Sequence, residues 1–107
     1  MTNENYLHIL DLVAEADIPK EGILTRSLHN DDQTKVILFA FDTDQELSEH
    51  TASMPAILHI VKGDADLTLG EDSKAAQAGT WVHMPANLPH SVMAKTPLVM
   101  LLYLLKG

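Results

Sequence analysis

The chain has 107 residues, 46% of them apolar and 21% charged, with 15 acidic against 7 basic residues and no cysteine. That length suits one domain around one core, and the composition is that of a folded globular protein. A formal charge of −8 argues against nucleic acid and anionic membrane surfaces as partners. The missing cysteine excludes disulfides, zinc-thiolate sites and thiol nucleophiles.

Met1 to Asn5 carry neither the basic segment nor the apolar run of a secretory signal, which predicts a cytoplasmic protein. Residues 6–16 read equally well as a helix, with Leu7, Leu10 and Ala14 as its apolar stripe and Pro19 as its stop, or as an N-terminal strand. Residues 22–28 alternate loosely and end in the turn-rich His29-Asn-Asp-Asp32. Residues 36–41 form a continuous run of strand formers, which Asp42-Thr-Asp-Gln-Glu46 interrupts. Pro55 precedes a second run over 56–61, closed by Lys62-Gly63-Asp64. Residues 65–69 alternate, and Gly70-Glu-Asp-Ser73 turns the chain. Residues 75–78 lead to Gly79, 80–84 stop at Pro85, 91–94 precede Lys95-Thr-Pro97, and 98–105 close the chain.

Short strands punctuated by Gly, Pro and Asp predict an all-β sandwich or barrel. The last run is only eight residues long, far too short to span a bilayer as a helix. It has no polar face, so both of its faces should be covered. A homodimer is expected on that ground, with a second copy as one of the two covers.

The chemistry concentrates at two histidines. His50 stands in Glu-Leu-Ser-Glu-His-Thr-Ala52-Ser-Met-Pro-Ala56, ahead of Ile-Leu-His59. His90 closes Gly79-Thr-Trp-Val-His83-Met-Pro-Ala-Asn87-Leu-Pro-His90. Imidazole is the commonest metal ligand and the usual proton carrier near neutral pH. In the second stretch Pro85 and Pro89 break the strand and stiffen a loop, and Asn87 is a residue type that tolerates positive φ. Such a loop delivers His90 at a fixed point at the start of the next strand. Strand alternation sets His59 opposite Ala56, Leu58 and Ile60, and His83 opposite Val82 and Met84. No Gly-x-Ser-x-Gly elbow, phosphate-cradling loop or dinucleotide fingerprint is present, so no nucleotide cofactor is expected.

Together the two stretches resemble the cupin family. In its first motif, Asp44 stands at the opening glycine, His50 is the first histidine and Gly63 the closing glycine. In its second, Gly79, Pro85 and His90 are in register, while Asn87 replaces a glycine and Ala94 an asparagine. The resemblance covers residues 44–94 and looks most like the small single-domain cupins. It implies a double-stranded β-helix, a jelly-roll barrel, over residues 1–107 as one domain. It also implies that the family's three histidines and one glutamate would fall on His50, Ala52, Ala56 and His90, so two of four ligand positions survive and the anionic one is lost.

Three roles then compete for His50 and His90: ligands of a loosely held divalent metal (Zn, Ni, Fe or Mn), with His59, His83 or water completing the shell; metal-free polar groups that bind a small molecule; or buried residues each bonded to a backbone carbonyl. Two alanines in place of ligands would widen the cavity and make it more apolar, favouring an uncharged ligand over a sugar acid or phosphate. Leu58, Met54, Trp81 and Met84 are the expected lining beside the two histidines, or else simple filling. The leading expectation is a binding module. The alternatives are a metal-dependent dioxygenase, isomerase or decarboxylase acting on a small organic substrate, and a dimeric interaction module with a vestigial pocket.

Overall fold

The computed structural model describes residues 5–107. Nine strands follow in chain order: β1 (Ile23–Asn30), β2 (Thr34–Phe41), β3 (Glu46–His50), β4 (Ala56–Lys62), β5 (Ala65–Leu69), β6 (Asp72–Ala76), β7 (Trp81–Met84), β8 (His90–Ala94) and β9 (Leu98–Leu105). They form a five-stranded sheet in the order β1-β2-β9-β4-β7 and a four-stranded sheet in the order β3-β8-β5-β6. All pairings are antiparallel. The fold is all-β, as expected, and no helix occurs among the described residues. None is therefore long and apolar enough to cross a membrane.

The register explains which residues fill the interior. Phe41, Phe39 and Ile37 of β2 lie opposite Leu98, Met100 and Leu102 of β9, and β9 in turn sets Met100, Leu102 and Leu104 beside Ile60, Leu58 and Ala56 of β4. These residues meet Leu67, Val92 and Ala94 of the second sheet in one apolar cluster between the sheets. Phe41, Leu58, Ile60, Leu98 and Met100 are fully buried there, and the Phe39 and Phe41 rings stack with centroids 6.1 Å apart.

The other face of the five-stranded sheet carries a second cluster, built on Leu38, Val99 and Leu101. Both faces of β9 are therefore covered, as its unbroken apolar sequence requires. The outer cover over Val99 and Leu101 is the chain's own N-terminal arm, through Leu12, Ala16 and Ile18. The arm is neither of the two elements expected of residues 6–16. It runs irregularly, with one turn in which Asp11 accepts hydrogen bonds from the Val13 and Ala14 amides. A helix would have needed Leu7, Leu10 and Ala14 on one buried stripe, whereas Leu10 is 90% exposed and Leu7 61%. Packing of Leu12, Ala16 and Ile18 on the sheet outweighs the local helical periodicity. Arg26 of β1 pins the arm through an ion pair to Glu15 at 2.8 Å.

Two departures from the cupin pattern are conformationally conservative. Asp44 has φ 67° and Asn87 has φ 68°, so both hold the left-handed geometry that glycine adopts most readily. Asp and Asn are the side chains that reach this region most readily.

Candidate functional site

A one-residue irregularity in β3 creates the histidine pair. Leu47 pairs with Val92 and packs into the interior, but the register then slips, so that His50 rather than Glu49 stands opposite His90. The bulge leaves Ser48 and Glu49 exposed and turns His50 toward the interior side of the sheet. His90 shares the orientation of Val92 and Ala94 and is 4% exposed, the one buried polar residue among those described. The two rings lie 4.2 Å apart between centroids, tilted by 56°.

Each ring is held by a local backbone bond. His50 Nδ1 lies 2.8 Å from the Ser48 carbonyl, within the bulge, and His90 Nδ1 lies 2.9 Å from the Leu88 carbonyl, within the proline-stiffened loop. A carbonyl only accepts, so both Nδ1 atoms carry the proton and both neutral rings present an unprotonated Nε2. No protein partner binds either Nε2 among the described residues, and no side-chain nitrogen or oxygen there is both buried and unpartnered. Both lone pairs therefore face space that solvent reaches. The loops that carry the two motifs are tied together where the Asn87 amide donates to the Ala52 carbonyl at 2.7 Å.

Burial pushes the His90 imidazole below its ordinary value of 6.5. The Leu88 carbonyl opposes that shift, and His50 adds to it. The folded state thus binds this proton less readily than the unfolded chain, so the contribution of His90 to stability is complete above pH 6.5 and lost as pH falls through its lowered value. In chelator-treated protein, the thermal midpoint is expected to fall between pH 7.5 and pH 5, and His90→Gln should flatten that part of the profile. Parallel profiles for the two proteins would remove His90 as the cause.

The remaining candidate residues fall on different sides of the sheet. Leu58 and Met84 point into the interior and pack in the apolar cluster, and Met54 is half-buried in the loop before β4. Trp81 does not line the interior. It pairs with His59 on the opposite face and is 59% exposed. His59 and His83 share that outer face, because Ala56, Leu58, Ile60, Val82 and Met84 take the inner one. Neither can complete a shell around His50 and His90, as the alternation of a pleated strand requires. Among the described residues, no group of three or more His, Asp or Glu side chains is placed to hold a metal.

Two antiparallel sheets enclosing this motif pair have close counterparts among solved structures. A cupin superfamily protein from Desulfitobacterium hafniense superimposes with a TM-score of 0.87 at 21% identity, over 99% of this chain and 97% of that one. An RmlC-like cupin from Shewanella frigidimarina gives 0.77 at 18% identity, over 85% and 81%.

This chain folds as a small cupin.

A conserved protein of unknown function from Streptococcus pyogenes is similar as well, with a TM-score of 0.85 and 28% identity over 99% of this cupin and 93% of that chain. No family model matches the sequence, and no curated protein matches it. The likeness therefore assigns an architecture and leaves the activity to be read from the site. On its inner side the site holds two imidazoles, with apolar side chains on the opposing strands.

Proposed function

We propose that this cupin is a binding module that holds a divalent transition metal loosely through His50 Nε2 and His90 Nε2, with the remaining coordination positions open to water or a small uncharged molecule. The observation that carries the reading is the paired tautomer lock. Ligating histidines characteristically donate their second ring N–H to a carbonyl or carboxylate, which fixes the ring and directs the other nitrogen at the metal. Both rings here are held in that way, side by side, with free lone pairs.

The donor set decides which metal fits. Two neutral imidazoles without a carboxylate suit zinc or nickel better than iron(II) or manganese(II), which prefer mixed nitrogen and oxygen ligands. A bound zinc or nickel would supply Lewis acidity and an exchangeable water. The metal-dependent enzyme reading is weaker, because well-defined catalytic zinc sites use three protein ligands and this interior offers two. Apolar neighbours such as Leu58 and Met84 favour an uncharged organic molecule as the co-ligand.

Titration of untagged, chelator-treated protein with nickel and with zinc by calorimetry tests the reading. About one equivalent of weakly bound metal is expected, with at least tenfold weaker binding in His50→Ala and in His90→Ala. Absence of binding heat for both metals in the parent protein, together with no thermal stabilisation by either, would sink the proposal.

A further inference from the structure

A sheet edge presents unpaired amides and carbonyls, and folded proteins blunt such edges with bulges, short strands or prolines. This cupin has four edges among the described residues, β1 and β7 in one sheet and β3 and β6 in the other. β1 is bulged between Ser27 and His29, and β3 between Leu47 and His50. β7 is four residues long and stops at Pro85. β6 is the regular one. Its five residues pair with β5 without a register shift, from Ala76 opposite Ala65 to Asp72 opposite Leu69, and Asp72 to Ala75 are exposed. The hairpin decides which groups of β6 are on offer. Gly70 and Glu71 form a two-residue turn, with Gly70 at φ 63°. Such a turn is closed by a hydrogen-bonded pair, here Leu69 and Asp72, and bonded pairs then alternate along the ladder. Lys74 and Ala76 therefore bond to β5, while the amides and carbonyls of Ser73 and Ala75 point away from the sheet.

A cleft of about 340 Å³ opens beside the end of that edge, walled by Ala65, Ala75 and Ala76 and ringed by Asp64, Gln77 and Lys95. Three alanines leave room for an alkyl stem. Lys95 is engaged by Asp66 at 3.7 Å, whereas the Asp64 carboxylate has no cationic partner among the described residues. The charge distribution favours the same occupant. The acidic residues that lie in strands, Glu46, Glu49, Asp66 and Asp72, all fall in this four-stranded sheet. Ala75 pairs with Asp66, Asp66 with Met93 and Met93 with Glu46, so two carboxylates share the outer face with Ser73 and Ala75. Lys74 lies on the opposite face, by strand alternation. A second copy, with its net charge of −8, is repelled from this surface, and a cationic segment is attracted to it.

We infer that β6 is a docking edge for an extended segment of another protein, one that alternates basic with uncharged residues. Its main chain would bond to the free amides and carbonyls of Ser73 and Ala75, adding a strand to the sheet. Its basic side chains would lie over the acidic outer face. One of them would rest its stem on the alanines of the cleft and bring its charged head to Asp64. The uncharged alternates then fall beside Lys74, where a basic residue would be repelled. The inference stands independently of the histidine pair, which faces the interior side of the same sheet.

The probe is a short capped peptide of alternating lysine and threonine, titrated into the isotope-labelled full chain and followed by amide NMR. Saturable shifts are expected along β6, at Ser73 and Ala75 above all, and none with a peptide that alternates glutamate and threonine. Proline is tolerated at an edge position whose N–H faces outward. Ala75→Pro should therefore stay folded and bind the lysine peptide at least about tenfold more weakly. Ala75→Arg fills the cleft without touching the backbone and should weaken binding as much, which keeps the test decisive if the proline variant does not fold. Absence of saturable shifts, or shifts that spare β6, overturns the proposal. So does binding that survives the Ala75 substitutions. Equal binding of spermine, a polycation without backbone amides, would reveal a site for small cations and overturn the added strand.

Discussion

Gly63→Ala is expected to lower stability by roughly 3 kcal/mol or more, the largest effect among the glycine-to-alanine changes. Gly63 has φ 91°, and a Cβ placed there would lie 2.2 Å from the Pro97 carbonyl oxygen and 2.9 Å from Thr96 Oγ1. Rotation of a side chain cannot relieve the first contact, since the obstacle is backbone. The two turns concerned are also clasped to each other. The Asp64 carbonyl accepts from the Lys95 and Thr96 amides, and the Asp64 amide donates to Thr96 Oγ1. Separating them to admit a methyl group would break those bonds or shift β8 and β9. Gly79→Ala is the natural comparison: φ is 96° there as well, but nothing lies within 4 Å of the added Cβ. Backbone strain alone remains, on the order of 1–2 kcal/mol. Thermal melts of the two variants should therefore differ by about 5–10 °C or more. Equal losses would show that strain, and not the approach of Pro97, sets the requirement for glycine at position 63.

Ala56→Glu is expected to make folding depend on metal. Ala56 is 2% exposed and packs in the inner cluster, opposite Met84 and Leu104. An uncompensated carboxylate at that position costs about 3 kcal/mol or more. The resemblance to the cupin motif would put the anionic ligand at this position, and His90 faces the same interior from the other sheet. Zinc or nickel would pair with the new charge and bring the protein ligands to three. A large metal-dependent recovery of the thermal midpoint is thus expected for Ala56→Glu, little for Ala56→Gln, and none for Ala56→Glu combined with His90→Ala. Recovery that persists without His90 would place the new carboxylate in a different site.

Much of this architecture is legible in the sequence because its strands are of two kinds. Strands with consecutive or alternating apolar residues, such as Ala65–Leu69 and Leu98–Leu105, stand out and have the expected bounds. β3 and β6 do not stand out. Glu-Leu-Ser-Glu-His and Asp-Ser-Lys-Ala-Ala bury little and are strands only because β8 and β5 offer them a hydrogen-bonding edge. Tertiary pairing rather than local preference makes them. The arm fails for the converse reason, since its local period suggests a helix that the outer face of the sheet pre-empts. At the site, the positions of His50 and His90 follow from the two motifs, and the outward turn of His59 and His83 follows from simple alternation. Trp81 is expected as cavity lining or core filling and is neither, because its parity with His83 puts it outside. A bond from each ring to a backbone carbonyl is among the readings the sequence allows, but the carbonyls that supply it, Ser48 and Leu88, are not legible, because no side-chain pattern reports them.

The bulge between Leu47 and His50 has a consequence for the charge of the interior. Continued without the extra residue, the regular pairing of β3 and β8 would set Glu49, not His50, against His90. The two residues are neighbours in sequence and opposite in chemistry, one an anionic oxygen donor and the other a neutral nitrogen donor. A slip of one register step would exchange them and turn a neutral pair into an acid–base couple. The barrel therefore holds two latent versions of its inner site in five residues of one short strand, and a single irregular hydrogen-bond step selects between them.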